Sequence, residues 1–511
     1  MNTEKRSNGS SRRVVLSACV CGLVAGAAAG GWPDDAGTPL VVGVMENAFG
    51  ERQSSVVTDD GAVWYAWQDS LCVGSVRAQR VGFDGSLLSV DGFVVQDDPT
   101  CAFHVPPALL AIGDGVVATR ALSSVRDFPL QMYSDDGSPQ WGTGFAVESA
   151  DTLGALGKLS SGDVLVVRRG FGEIYADRLS ITGEPVWDER SVIVDGISAN
   201  MRILGAIPIS DGGAYVFWDS HIAYTKLVYA VRVNADGSTA WDSFTHMVSH
   251  ADGVESSRHS DPVVVSDGSD GAVLVFAKGF ETGTTPAPLL LQRVDPEGKL
   301  VFPIEGVRVS LGSARQFYPN VQTDPATGDL FIVWMDGQMG NSTVRAQRMT
   351  ADGVRLWGDE GIEVSGFDST FGSFDAVWLG NQISVVVGGD GLVEMHRFDL
   401  MGNVAADPIV IGTTGITEYV RAEASGDGVV VSWQADQSIV AQRVNPDGRI
   451  GNAACSTGDL ASPFGSLNFL DVSAFLSAFA AQDLAVDFES DGSLNFLDVS
   501  AFLSIFSAGC P

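Results

Sequence analysis

The sequence predicts an all-β fold: an eight-bladed β-propeller of four-stranded antiparallel blades over residues 38–451, with a small α-helical module behind it at 455–511. Three observations lead there. One phrase recurs eight times, each recurrence carries about four short apolar strands, and Asp-Gly or Asn-Gly pairs sit between them. Such pairs supply the positive φ that tight hairpins need. With 45% hydrophobic residues, 18% charged and 60 glycines in 511 residues, the chain is too apolar for disorder and too glycine-rich for a helical bundle.

Residues 1–29 read as an export signal. A basic stretch, MNTEKRSNGSSRR, precedes the apolar VVLSACVCGLVAGAAAGG, and Ala27-Ala28-Ala29 fits a signal-peptidase site. The apolar run is too short and small to span a bilayer, so the mature chain is expected to carry no transmembrane segment. Export predicts a secreted, extracellular or cell-surface protein in which disulfides are permitted. Sequence proximity favours pairing Cys72 with Cys101 and Cys455 with Cys510.

The recurring phrase is a strand ending in Gln-Arg-Val, a turn, a glycine and then often an aromatic: AQRVGFDGSLL, LQMYSDDGSPQW, ADRLSITGEPVW, AVRVNADGSTAW, LQRVDPEGKLVF, AQRMTADGVRLW, MHRFDLMGNVA and AQRVNPDGRIG. Its anchors are Arg80, Met132, Arg178, Arg232, Arg293, Arg348, Arg397 and Arg443, on average about 52 residues apart. Before each lies a run rich in β-branched and aromatic residues, such as GAVWYAW or GDLFIVW, the pattern of a strand buried on both faces. The eighth unit stops after its third strand, and Pro39-Leu40-Val41-Val42-Gly43 is left over at the front. That spare segment is expected to complete the last blade and close the ring; seven blades with one atypical unit is the alternative.

These repeats resemble the divergent propeller repeats of secreted bacterial proteins, a resemblance that implies architecture only. The repeated arginine is expected to stack on a neighbouring aromatic or to pair with a carboxylate at the blade edge. Ser134-x-Asp136-x-Ser138-x-x-Trp141 matches the Asp box, a structural hairpin of sialidase propellers. The further sialidase signatures are missing, as are the serine-elbow, zinc-helix, P-loop and dinucleotide motifs. His246, His250 and His259 form a weak metal candidate at best.

After Cys455 the composition changes. GSLNFLDVSAFLSAF (465–479) returns as GSLNFLDVSAFLSIF (492–506). The second copy follows Asp487-Phe-Glu489-Ser-Asp491-Gly492. As a twelve-residue loop this offers Asp487, Glu489, Asp491, the Ser493 carbonyl, Asn495 and Asp498, an all-oxygen donor set suited to Ca²⁺. The pair resembles a dockerin type I module, two EF-hand-like loop–helix motifs, in which position 12 is Asp, as Asp498 is here. The first loop departs: it keeps Asp459, Asn468 and Asp471, but has one extra residue before its glycine, and Phe464 stands where an acid belongs. The resemblance implies Ca²⁺ as cofactor and a cohesin-like or cell-surface scaffold protein as partner. Positions 10 and 11, which read the partner in that family, are Phe469-Leu470 and Phe496-Leu497.

The formal charge of −33 disfavours nucleic acid and anionic membrane surfaces. The function expected is a secreted, calcium-binding, non-enzymatic propeller platform, monomeric and attached through its tail, with polysaccharide as a further candidate partner. The alternative is a carbohydrate-active hydrolase cleaving O-glycosyl bonds, although no two of the abundant carboxylates stand out in sequence.

Overall fold

The structure, a computed structural model, describes residues 31–510 apart from 46–52, 69–74, 97–106, 120–127, 148–151, 197–200, 223–224, 241–245, 251–261, 278–286, 325, 339–340, 368–371, 390, 414–416, 453 and 462–463. The signal segment, Cys72, Cys101 and His259 lie outside the described residues.

Eight four-stranded antiparallel sheets form eight blades. Their inner strands are Gln53–Val57, Ala108–Ile112, Thr152–Lys158, Met201–Pro208, Val263–Ser266, Gln316–Thr323, Ser373–Leu379 and Thr417–Ser425. Each touches the next, and the last touches the first, so the ring is closed. The apolar runs become second strands: all of Val63–Gln68, and all but the last residue of Val164–Arg169, are buried. They lie mid-sheet with a neighbouring blade on either face, where β-branched and aromatic side chains fill the gap between sheets.

The repeated Gln and Arg have separate tasks on the third strand. Gln347 donates from Nε2 to the Gly358 carbonyl at 2.7 Å and accepts the Trp357 N–H at 2.9 Å. Gln131 does the same with Gly142 and Trp141, and Gln292 with Pro303 and Phe302. The glutamine therefore pins the returning hairpin that carries the aromatic. The arginine reaches the other way. Arg348 pairs with Asp329 at 2.6 Å and donates to the Leu400 carbonyl of the following blade at 2.7 Å. Arg178 pairs with Asp163 at 2.6 Å and donates to Ala235 O at 2.7 Å. Arg293 pairs with Asp267 and Arg443 with Asp427, and Arg443 lies 4.1 Å from the centre of the Phe83 ring. Both expected roles are met, carboxylate pairing and aromatic stacking. Tryptophan indoles finish the joint: Trp141, Trp187 and Trp357 donate to Ile181, Ala235 and Leu400 carbonyls in the next blade.

The eighth blade borrows from the N-terminus twice. Leu40–Val44 pairs antiparallel with Ser438–Val444 as its outer strand, as the spare segment predicted. The phrase in this blade also lacks its tryptophan; Asn452 stands at that place. Trp32, 4% exposed, fills the gap. Its backbone N–H donates to Asn452 Oδ1 at 2.7 Å and its indole to Phe83 O at 2.9 Å, the bond the other tryptophans make to the next blade.

The tail folds as α1 (Phe469–Ala480), a 3-10 turn at Leu484–Val486 and α2 (Phe496–Ala508). Asn468 with Asp471, and Asn495 with Asp498, form matching capping boxes, which is why both copies start helices at the same letter. Phe475 and Phe502 stack at 4.2 Å with 2° between their planes, over Val486. So small a core gains from the Cys455–Cys510 disulfide, which closes the module with its Cα atoms 5.4 Å apart.

Candidate functional site

The two predicted loops are built alike despite the extra residue in the first. Gly465 (φ 87°) and Gly492 (φ 80°) take the left-handed conformation that lets the chain double back. Their N–H groups donate to the first acid of each loop, Gly465 to Asp459 Oδ2 at 2.7 Å and Gly492 to Asp487 Oδ2 at 2.8 Å. The third loop residue donates its N–H to the last acid: Ala461 to Asp471 Oδ1 at 2.8 Å, and Glu489 to Asp498 Oδ1 at 3.2 Å. In each loop the first and last carboxyls lie within hydrogen-bonding reach of one another, Asp459 with Asp471 and Asp487 with Asp498.

Asp471 and Asp498 are fully buried and Asp459 is 3% exposed. Burial pushes the Asp459 carboxyl above its ordinary range, and the neighbouring Asp471 pushes the same way, against the N–H bonds it accepts. Asp498 is held below its ordinary value, first by the Asn495 N–H. Asp491 is lowered mainly by the Ser493 hydroxyl, at 2.8 Å, and by the Ser493 N–H. Asn495 donates from Nδ2 to Asp491 Oδ2 at 3.2 Å and to the Ser493 carbonyl at 3.1 Å.

The structure therefore brings Asp487 to Asp498 and Asp491 to Ser493 and Asn495; Glu489 contributes its N–H, and its side chain is at the exposed rim. Among the described residues, no three of these carboxylates have oxygens within 4.8 Å of one another. The His/Cys/acid group that meets that distance is Cys455, Asp459 and Cys510, whose two sulfurs are spent on each other.

The donor set suits a hard cation. Residues 455–511 contain seven acids and no Lys, Arg or His, so no base in the module can balance its facing carboxylates. Asp459 Oδ1 is buried with no hydrogen-bond partner, and every other candidate donor is oxygen. Ca²⁺ takes six to eight such ligands; Asp487, Glu489, Asp491, Asn495, Asp498 and the Ser493 carbonyl would hold it in the second loop, and Asp459, Asn468 and Asp471 in the first. Phe464 explains the first loop's irregularity. Its carbonyl accepts from Asn452 Nδ2 at 3.2 Å, and its ring lies under Arg449 at 5.0 Å. That position serves docking to the propeller.

Elsewhere, the Asp box behaves as a hairpin: Asp136 accepts from the Ser134 hydroxyl and the Ser138 N–H while Trp141 is buried. His246 and His250 lie on the outer strand of blade 4, His246–His250.

Sequence reasoning missed a polar cluster on the inner strands of blades 6, 7, 8 and 1. Asp375, on Ser373–Leu379, accepts from Asn320 Nδ2 at 2.5 Å, Ala376 N–H at 2.8 Å and Ala422 N–H at 2.9 Å. Glu423, on Thr417–Ser425, accepts from the Ser55 hydroxyl at 2.8 Å. Burial raises Asp375 to about 6 and Glu423 to about 7; their mutual repulsion adds to Glu423, and Arg421 opposes it. Tyr318 and Tyr419, at bulges on the strands carrying Asn320 and Glu423, have φ near +52° and +53°. Such strain is uncommon for an aromatic residue and gathers at functional positions. Asp375 inside the otherwise apolar inner strand SFDAVWL was the available signal; EYVRAEAS, with Glu418, Arg421 and Glu423, offered none.

No family profile matches the sequence, and no curated protein matches it. Among solved structures the chain is similar to the polysaccharide lyase Uly1, at 10% identity over 66% of this chain and 89% of that one, with a TM-score of 0.41. It is similar to the α-L-arabinanase of Penicillium chrysogenum complexed with arabinobiose, at 14% identity over 57% and 92%, TM-score 0.34. A protein of unknown function from Dyadobacter fermentans matches at 13% identity over 81% and 97%, TM-score 0.37. Likeness at this level assigns no activity, substrate or partner. No helix among the described residues is long and apolar enough to cross a membrane.

Proposed function

We propose that the chain is an exported calcium-binding protein whose propeller is a non-catalytic binding platform, held to a cell-surface or extracellular scaffold by its dockerin-like tail. The observation that carries this reading is the duplicated loop pair, with facing carboxylates and no base to balance them. Beside each loop the helix begins with an exposed apolar pair: Phe469 is 78% and Leu470 48% exposed, Phe496 79% and Leu497 55%. Two such pairs on repeated elements suit a scaffold protein that docks on either copy. The test is capture of the full mature chain by surface fractions with calcium and with chelator. Retention that needs calcium and falls with Phe469→Ala plus Phe496→Ala supports attachment; retention indifferent to both overturns it.

The hydrolase reading has one observation in its favour. Glu423 near 7 beside an acid of lower pKa is the arrangement of a general acid and its ionised partner. Against it, Asp375 is 8% exposed and its two oxygens already accept three hydrogen bonds. Release of reducing sugar from neutral polysaccharides, abolished by Glu423→Gln, would reverse the choice.

A further inference from the structure

We infer that the groove between blades 2 and 3 binds a neutral saccharide; this rests on the platform reading and names the platform's ligand. Blade 3 breaks the repeat at two facing places. On the second strand, blades 1, 4, 6 and 8 carry Trp67, Trp218, Trp334 and Trp433 three residues before the anchor's register, all fully buried between sheets. Blade 3 has Arg168 there, opposite Tyr175. Where blades 1, 2, 5 and 6 place the hairpin-pinning Gln79, Gln131, Gln292 and Gln347, blade 3 has Asp177.

The two replacements pair. Arg168 donates from Nε to Asp177 Oδ2 at 2.8 Å, with Nη2 at 2.6 Å, and Arg168 is 3% exposed. An ion pair standing where an indole and an amide stand elsewhere fills less of the space between blades. A cavity of about 660 Å³ opens over it, lined also by Phe145, Tyr175, Glu189 and Arg190. That volume falls within the roughly 300–1,000 Å³ of small-molecule sites. The Arg190 guanidinium lies 4.2 Å from the centre of the Tyr175 ring. A second cavity of about 640 Å³, toward blade 4, shares Glu189 and Arg190 and adds Trp187, Asp236 and Ser238.

The lining selects by charge. Among the described residues, Arg168 and Arg190 balance Asp177 and Glu189 in the first cavity, and the second adds Asp188 and Asp236, which leaves the two cavities together acidic. An anion meets four acids and a chain of net charge −33; a cation meets both arginines over the first cavity. A neutral polyhydroxylated ring has hydroxyls to donate to these carboxylates and to accept from the arginines, and the aromatic walls of Phe145, Tyr175 and Trp187 to rest on. Two adjoining cavities suit an oligosaccharide lying across the Val186–Ser191 segment.

The experiment uses the full mature chain, with saturation-transfer NMR and calorimetry against neutral disaccharides (cellobiose, xylobiose, mannobiose, lactose) at millimolar concentration. Glu189→Ala plus Arg190→Ala changes exposed residues, and Val192→Trp fills the first cavity from its exposed rim. Each is expected to weaken binding about tenfold or more, while Asp359→Ala plus Glu360→Ala, both exposed on blade 6, leaves it unchanged and thermal unfolding stays level throughout. Binding that survives both groove variants overturns the groove and leaves the platform standing. Binding of none of the sugars also overturns the groove; if the propeller then captures nothing from surface fractions, the platform reading falls with it.

Discussion

The ring and the tail are both made of repeated sequence, and they treat charge in opposite ways. In the ring, anchor arginines find their carboxylate within the blade: Arg178, Arg293, Arg348 and Arg443 pair with Asp163, Asp267, Asp329 and Asp427. In the tail, each repeat brings two acids face to face and the module has no base at all. A carboxylate paired inside its own blade is finished when the blade folds. Facing carboxylates with no base beside them are expected to take an ion from solution, and calcium titration of the tail tests that difference.

The sharpest way to break the ring's side of the comparison is at its closure. Trp32 does for the eighth joint what Trp141, Trp187 and Trp357 do for theirs, but it arrives from the far end of the chain. Trp32→Ala is expected to cost about 3–5 kcal/mol, the range for removing a buried aromatic, measured by denaturant unfolding of the full chain. A loss under about 1 kcal/mol would mean that Leu40–Val44 closes the ring alone.

On the tail's side, calcium is expected to raise the stability of the helical module by about 4 kcal/mol at a thousand times its dissociation constant. Asp487→Ala with Asp498→Ala removes the facing pair of the second loop and most of that gain, read by calorimetric titration and helical circular dichroism. An unchanged titration would sink the site. The single change Asp459→Ala tests the first loop and is expected to remove a smaller part.

The comparison also shows where the sequence is legible. Blade number, strand order and closure by residues 39–43 follow from a phrase whose Gln and Arg have fixed partners, so a repeated letter meant a repeated bond. The loop–helix pairs were legible because the glycine turn and the Asn-x-x-Asp capping box are local. Three things were not. Trp32 sits outside any repeat, and nothing at 452 announces that its tryptophan is supplied from 420 residues away. Phe464 read as a defect in a calcium loop, because its docking to Arg449 and Asn452 is a tertiary contact. Asp375 and Glu423 meet only because a ring brings the inner strands of its last blades back to its first, and no local pattern encodes that meeting.

These two acids give the ring a pH dependence opposite to that of a salt-bridged surface. Glu423 rises from an ordinary 4.5 to about 7, and Asp375 from 3.8 to about 6, so the fold favours their protonated forms. Each contributes stability that is full below its unfolded value and lost as pH climbs through the folded one. With calcium in excess to hold the tail constant, the propeller is expected to weaken by about 4–5 kcal/mol between pH 4.5 and 7. Glu423→Gln should flatten most of that slope. A melting temperature that rises over this window in the wild type would show that the network prefers both carboxylates charged.

The smallest effect tests whether the repeated arginines are fasteners or ornaments. Arg348 is mostly buried, holds Asp329 and reaches the next blade through the Leu400 carbonyl, so Arg348→Ala removes a charge-assisted bond on each side. Against this, blade 2 carries Met132 at the anchor and still forms its sheet, which shows that the ring does not need every arginine. The expected loss is therefore modest, about 1–2 kcal/mol. Arg348→Lys should recover little of it, because an ammonium keeps the charge near Asp329 without the fork that spans to the neighbouring blade. If lysine restores full stability, the ion pair alone matters and the inter-blade bond is incidental; if alanine costs nothing, the tryptophans and glutamines carry the joints by themselves.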